Sequence, residues 1–150
     1  MGFVEDRNAA VKGARGLGIH VLGLEDLRKS LRDLDKEIDK ALRKDLREAA
    51  KPVLARARAN VPTGGSGALA RSLRISVQTR GVALGSRLQY ANLVHWGGST
   101  GRGHVQGRAW SGSVKVRESL FLSRALVSEE DQLLDALDAA VGRAAERAGF

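Results

Sequence analysis

The sequence predicts an α+β fold: a long N-terminal helix and a C-terminal helix packed on a small antiparallel sheet, with a long Gly-rich loop. Three observations predict it. Leu24, Leu27, Leu31, Leu34, Ile38, Leu42 and Leu46 recur at steps of three and four, which puts them on one helical face. Leu73, Ile75 and Val77 alternate with Arg74, Ser76 and Gln78, the period of a half-buried strand. Leu133, Leu134, Leu137, Val141 and Ala144 then return to the helical period near the C-terminus.

Each element follows in order. Residues 1–17 read as a loose polar arm, and 18–150 as one domain, the expectation for a chain of 150 residues. Gly18-Ile19-His20-Val21-Leu22-Gly23 is a short β-like run bounded by glycines. The helix that follows spans 24–51, roughly 42 Å at 1.5 Å per residue. Pro52 removes a backbone donor and predicts a kink, with Val53, Leu54 and Ala57 continuing the period. Asn60-Val61-Pro62-Thr63-Gly64-Gly65-Ser66-Gly67 is a loop. Residues 70–88 read as a hairpin with its turn at Gln78-Thr79-Arg80-Gly81. The apolar run over 88–98 suits a helical turn carrying Tyr90, Leu93, Val94 and Trp96. Residues 97–113 are Gly/Ser-rich and read as a long flexible loop. Val114 and Val116 suggest a short strand. Leu120-Phe121-Leu122 and Ala125-Leu126 begin an apolar helical stretch, and Ser128 with Glu129, Glu130 and Asp131 reads as an N-cap and acidic first turn. Gly149 is a late stop.

Charge is unevenly spread. Residues 49–117 contain no Asp or Glu but carry eleven Lys/Arg. The segments before, within and after this block carry net +1, +11 and −4, against +8 for the chain. A one-signed block attracts polyanions, and nucleic acid is the obvious one. The bland alternative is a solvated surface whose balancing acids lie elsewhere in the fold. No helix-turn-helix, zinc finger or RNA-recognition signature is present, so base-specific reading is not expected.

Catalytic chemistry is not expected. His20, His95 and His104 lack metal-ligand spacing, and the absence of cysteine removes Cys-based zinc sites and disulfides. Ser66, Ser99 and Ser111 lie in Gly-rich strings without a nucleophile elbow. The runs GGSG and GSTGRG are not phosphate loops, because no GK[ST] follows. No metal and no cofactor is expected, nor a membrane span, since no run of 18 apolar residues occurs. The start of the chain lacks the charged and apolar regions of a signal peptide. His95 reads as a hydrogen-bonded structural residue, and Tyr90, Leu93, Trp96 and Phe121 as core or subunit contacts.

Four local strings occur in a telling order. The first is Ile19-His20-Val21-Leu22-Gly23-Leu24-Glu25-Asp26-Leu27. The second is Val61-Pro62-Thr63-Gly64 followed by Gly67-Ala68-Leu69-Ala70-Arg71-Ser72-Leu73. The third is Tyr90-Ala91-Asn92-Leu93-Val94-His95-Trp96-Gly97, and the fourth Leu120-Phe121-Leu122-Ser123-Arg124-Ala125-Leu126. Over residues 18–145 the chain resembles the head–tail joining, or tail-completion, proteins of long-tailed phages, the lambda protein Z-like family. It departs from that pattern at His95, where Glu is usual, at Trp96, where Phe is usual, and at Leu120, where Pro is usual.

The resemblance implies a structural virion protein without enzyme activity. It implies a homo-oligomeric, sixfold ring at the head–tail junction, assembled in the host cytoplasm, with other neck and tail proteins as neighbours. Genomic double-stranded DNA would pass through it non-specifically. Arg71, Arg74, Arg80, Arg87, Arg102 and Arg108 are the candidates to face that channel or a partner. The alternatives are a tail terminator or stopper ring of the same neck, and a free, non-specific nucleic-acid-binding protein. A small hydrolase is the remotest reading, because convergent titratable groups are absent.

Overall fold

The computed structural model describes residues 5–11, 14–62, 67–99, 103–105, 108–110 and 115–150, with side chains described for 18–62, 67–99 and 115–150. The architecture mixes helices with small antiparallel sheets, as the periodicities predict. Two strands open the chain, β1 (Glu5–Val11) and β2 (Ala14–His20). Three helices follow: α1 (Leu24–Leu34), α2 (Lys36–Ala49) and α3 (Lys51–Asn60). The short helix α4 (Ala68–Ser72) leads into the hairpin β3 (Arg74–Val77) and β4 (Gly81–Gly85). Then come α5 (Ala91–Trp96) and the short strands β5 (Gly98–Ser99), β6 (Gly103–Val105), β7 (Arg108–Trp110) and β8 (Lys115–Val116). Two helices close the chain, α6 (Phe121–Ser128) and α7 (Glu130–Arg147).

The main sheet has the order β1-β2-β4-β3 and is antiparallel throughout. The chain leaves β2 through four helices and returns so that β4 pairs with both β2 and β3. Every residue of β4 is buried, as befits a central strand. Ile19 faces Val82 and His20 faces Gly81 across the β2–β4 ladder. A Cβ at Gly81 would collide with the Ile19 carbonyl, so only glycine permits this approach. One core joins Ile19, Val82 and Leu84 of the sheet to Leu24, Leu31, Leu42, Leu46, Val53, Phe121, Leu133 and Leu137 of the helices. Leu42 and Leu46 are fully buried against α7, each worth about 2 kcal/mol of burial.

Several expectations are corrected. The single helix over 24–51 is interrupted at Asp35, whose extended backbone (ψ 122°) ends α1 and whose carboxylate accepts from the Glu37 N–H at 2.8 Å to cap α2. Leu34, placed on the buried face by periodicity, is instead 61% exposed at this break. At Pro52 the outcome matches the predicted kink: α2 ends at Ala49 and Pro52 lies in the first turn of α3, where its missing N–H costs no hydrogen bond. The arm expected over 1–17 contains strand over Glu5–Val11 and from Ala14 onward. The loop expected over 97–113 contains three short strands, with β5 pairing β8 and β6 pairing β7. Ser128 does not cap α7. It ends α6, its hydroxyl donates to the Ala125 carbonyl at 3.2 Å, and Glu129 occupies the cap position.

Candidate functional site

The four local strings turn out to be joints of the fold. Gly23 (φ +76°) turns the chain into α1, where Leu24 is buried. Leu69 and Leu73 anchor α4 in the core. Between them Ser72 donates to the Leu69 carbonyl at 2.7 Å and contacts the Ser86 hydroxyl at 2.6 Å, tying α4 to the exit of β4. At Gly97 (φ +72°) a Cβ would lie 2.7 Å from the Glu118 nitrogen and 3.0 Å from the Val116 carbonyl, so glycine is required where β5 meets β8.

The third and fourth strings meet at His95. Its ring is 2% exposed, with Nδ1 3.4 Å from the Leu122 N–H and Nε2 3.3 Å from the Ser123 hydroxyl. Trp96 and Phe121 stand edge-on to that ring at 4.3 and 5.0 Å between centroids. His95 is thus a hydrogen-bonded structural residue. Phe121 is core, Trp96 and Leu93 are half-buried, and Tyr90 is 45% exposed. The departure at Leu120 has a physical reason. Leu120 adopts φ +48° and donates its N–H to the His95 carbonyl at 3.0 Å, and proline can do neither.

Electrostatically, α2 has two sides. On its inner side Asp39 is 3% exposed and receives Arg28 of α1, with Nε to Oδ1 at 2.8 Å and Nη2 to Oδ2 at 3.3 Å. Arg28 also donates to the Gln78 carbonyl at 2.9 Å, so the pair joins α1, α2 and the β3–β4 turn. Burial pushes the Asp39 carboxyl up, but the Arg28 hydrogen bond and charge, with Arg43 and Arg32 beyond, hold it below its ordinary value of 3.8. Sequence reading missed Arg28. Its signal was an arginine four residues after Leu24 and three before Leu31, on the buried face.

On the outer side, Lys40, Arg43, Lys44 and Arg47 line a cleft of about 230 Å³ closed by Val77 of β3. This is a concentrated basic cluster, and it lies outside the acid-free block. Within the block, Arg71, Arg74 and Arg87 gather at one end of the β3–β4 hairpin, because Arg74 pairs with Gly85. Arg80 sits at the opposite end, roughly 15 Å from Arg74 at 3.3 Å per residue. Arg102 lies outside the described residues; Arg108 is in β7, with its side chain outside them. Some of the block is balanced by acids from elsewhere: Arg80 pairs with Glu25 at 2.8 Å, Arg56 with Glu129 at 2.9 Å and Lys51 with Glu48 at 2.6 Å. Arg71, Arg74, Lys115 and Arg117 have no acidic partner among the described residues. Among the described residues no group of three His, Asp or Glu side chains forms a metal site.

No curated protein and no solved structure matches the chain. A family model does: HK97-gp10_like, described as "Bacteriophage HK97-gp10, putative tail-component", matches residues 25–97. The matched stretch runs from the first turn of α1 to Gly97, and so takes in the helical arm, α4, the β3–β4 hairpin and the 90–97 string. Over these residues, just under half of the chain, it is similar to a family described as a phage tail component.

Proposed function

We propose that this chain is an architectural protein of the phage neck. Copies associate into a closed, sixfold ring that completes the tail at the head–tail junction, and genome DNA passes through its centre. The observation that carries the reading is the tail-component match over residues 25–97, which covers the second and third strings in full and the stretch from α4 through the β3–β4 hairpin that includes Arg71, Arg74 and Arg87. The protein performs no reaction. Its work is shape and charge.

In this reading Arg71 and Arg74, with Lys115 and Arg117, offer cations without acidic partners among the described residues to passing phosphates or to an acidic neighbouring neck protein, and Arg87 lies beside them. Such contacts are sequence-independent and weaken with salt, which permits a duplex to slide. The test is the triple substitution Arg71→Glu, Arg74→Glu, Arg87→Glu in phage, with the chain located in a reconstruction of the particle. Density in a ring at the neck and impaired DNA retention or ejection are expected. A chain found elsewhere in the virion would overturn the reading, and unaltered particles would overturn the DNA-facing role of these arginines.

A second reading is favoured by the same unpaired cations: a free nucleic-acid-binding protein. It requires tight, salt-sensitive binding of duplex DNA by the isolated monomer, whereas the ring reading requires weak binding until assembly. A terminator or stopper ring of the same neck would differ from tail completion only in its position along the particle axis.

A further inference from the structure

We infer that the basic cleft between α2 and β3 is the docking site for a second copy of this chain, which presents the outer face of its α7. The inference deepens the ring reading and rests on it only for closure of the contact into a ring. The cleft is lined by Lys40, Arg43, Lys44, Arg47 and Val77. Arg43 is engaged with Asp39 at 3.5 Å, and Lys40 reaches Glu37 on its own helix. Lys44 and Arg47 are exposed and meet no carboxylate among the described residues.

The complementary surface is on the same chain. In α7 Leu133, Leu137, Ala140 and Ala144 are buried, while Asp131, Asp135 and Asp138 are exposed on the opposite side. None of these three aspartates meets a cation among the described residues. Asp131, Asp135 and Asp138 are spaced by four and three, and so are Lys40, Lys44 and Arg47. Each row therefore climbs its helix by about 10 Å, with one charge per turn.

Within one molecule the rows cannot meet. α2 and α7 pack on each other through Leu42, Leu46, Leu133 and Leu137, and Asp45 bridges that seam to Arg143 and Arg147 at 3.2 and 3.3 Å. The lysine row lies toward β3, and the aspartate row faces away from the seam. Two different, complementary patches on one chain make a head-to-tail contact, the kind that closes into rings. Phosphates would suit the cleft by sign alone, but they would leave the aspartate row of equal spacing unmatched.

The test uses full-length chains carrying K40E/K44E/R47E or D131K/D135K/D138K, with circular dichroism as the check of fold and native mass at low salt as the readout. K40Q/K44Q/R47Q and D131N/D135N/D138N serve where a reversal does not fold. Each variant alone should associate at least about tenfold more weakly than the wild type, because like charges then face each other. An equimolar mixture of the two reversals should restore association, since each row again finds its opposite. Wild-type association by a folded variant alone, or no restoration on mixing, overturns the inference. So does loss of duplex DNA binding by K40E/K44E/R47E with assembly unchanged, which assigns the cleft to nucleic acid. A closed wild-type ring insensitive to these changes keeps the ring and removes this contact. Open chains or dimers sensitive to them keep the contact and remove the ring.

Discussion

The two sides of α2 carry the same kinds of residue and use them in opposite ways. Inside, Asp39 and Arg28 are all but removed from water and locked by three hydrogen bonds, so their charges specify how α1, α2 and the hairpin turn meet. Outside, Lys40, Lys44 and Arg47 stay in water. Exposed charge adds little to stability, so it is free to serve a partner. A charge count along the sequence cannot separate these uses. Only the side of the helix does.

The comparison breaks first on the inner side. Arg28→Ala leaves Asp39 buried without its partner and should cost about 3–5 kcal/mol, measured by denaturant unfolding. A loss below about 1 kcal/mol would mean that water reaches Asp39 and that the inner pair behaves like a surface pair. Next, Leu120→Pro tests the joint between the two strings that meet at His95. It removes the N–H donated to the His95 carbonyl and forbids φ +48°, and should cost about 3 kcal/mol. Leu120→Gly keeps both features and should be far milder.

Acid sharpens the same contrast. Asp39 has a folded pKa below its ordinary 3.8, so it contributes stability at pH above that value. The contribution disappears as pH falls below the ordinary value and through the folded pKa. Thermal midpoints should therefore be insensitive to this pair near neutrality and fall below about pH 4. Asp39→Asn should remove that part of the acid dependence. The smallest effect belongs to the outer surface. Arg80→Ala breaks an exposed pair with Glu25 and should change stability by no more than about 1 kcal/mol, less in high salt.

Much of the fold was legible in the sequence because apolar period reports burial directly. Leu24, Leu31, Leu42 and Leu46 are buried as their spacing requires, and so are Leu133 and Leu137. The break at Asp35 was not legible: Leu34 and Ile38 keep the period across it, while the decisive event is a two-residue cap by a side chain. Strand β1 was missed, and only the end of β2 was read, in the run from Gly18, because both depend on pairing with each other and with β4, which leaves little local alternation.

The candidate surface was legible only in part. The acid-free block drew attention to the hairpin arginines, yet Arg80 stands apart from Arg71, Arg74 and Arg87 and pairs with an acid from α1. The basic row of α2 was hidden because its segment nets only +1. Two acids that balance it in the count are engaged elsewhere: Asp39 with Arg28 and, of the cleft residues, Arg43, and Asp45 with the α7 seam. The motifs that carry the family resemblance are joints of the fold. Those within residues 25–97 fall in the stretch that is similar to the phage tail-component family.

The most direct measurement is the native mass of the purified full-length chain across a range of protein and salt concentrations. The expected result is a discrete closed assembly at low salt that dissociates as salt rises, because the contact joins a lysine–arginine row to an aspartate row. A chain that stays monomeric at every concentration and salt would contradict it.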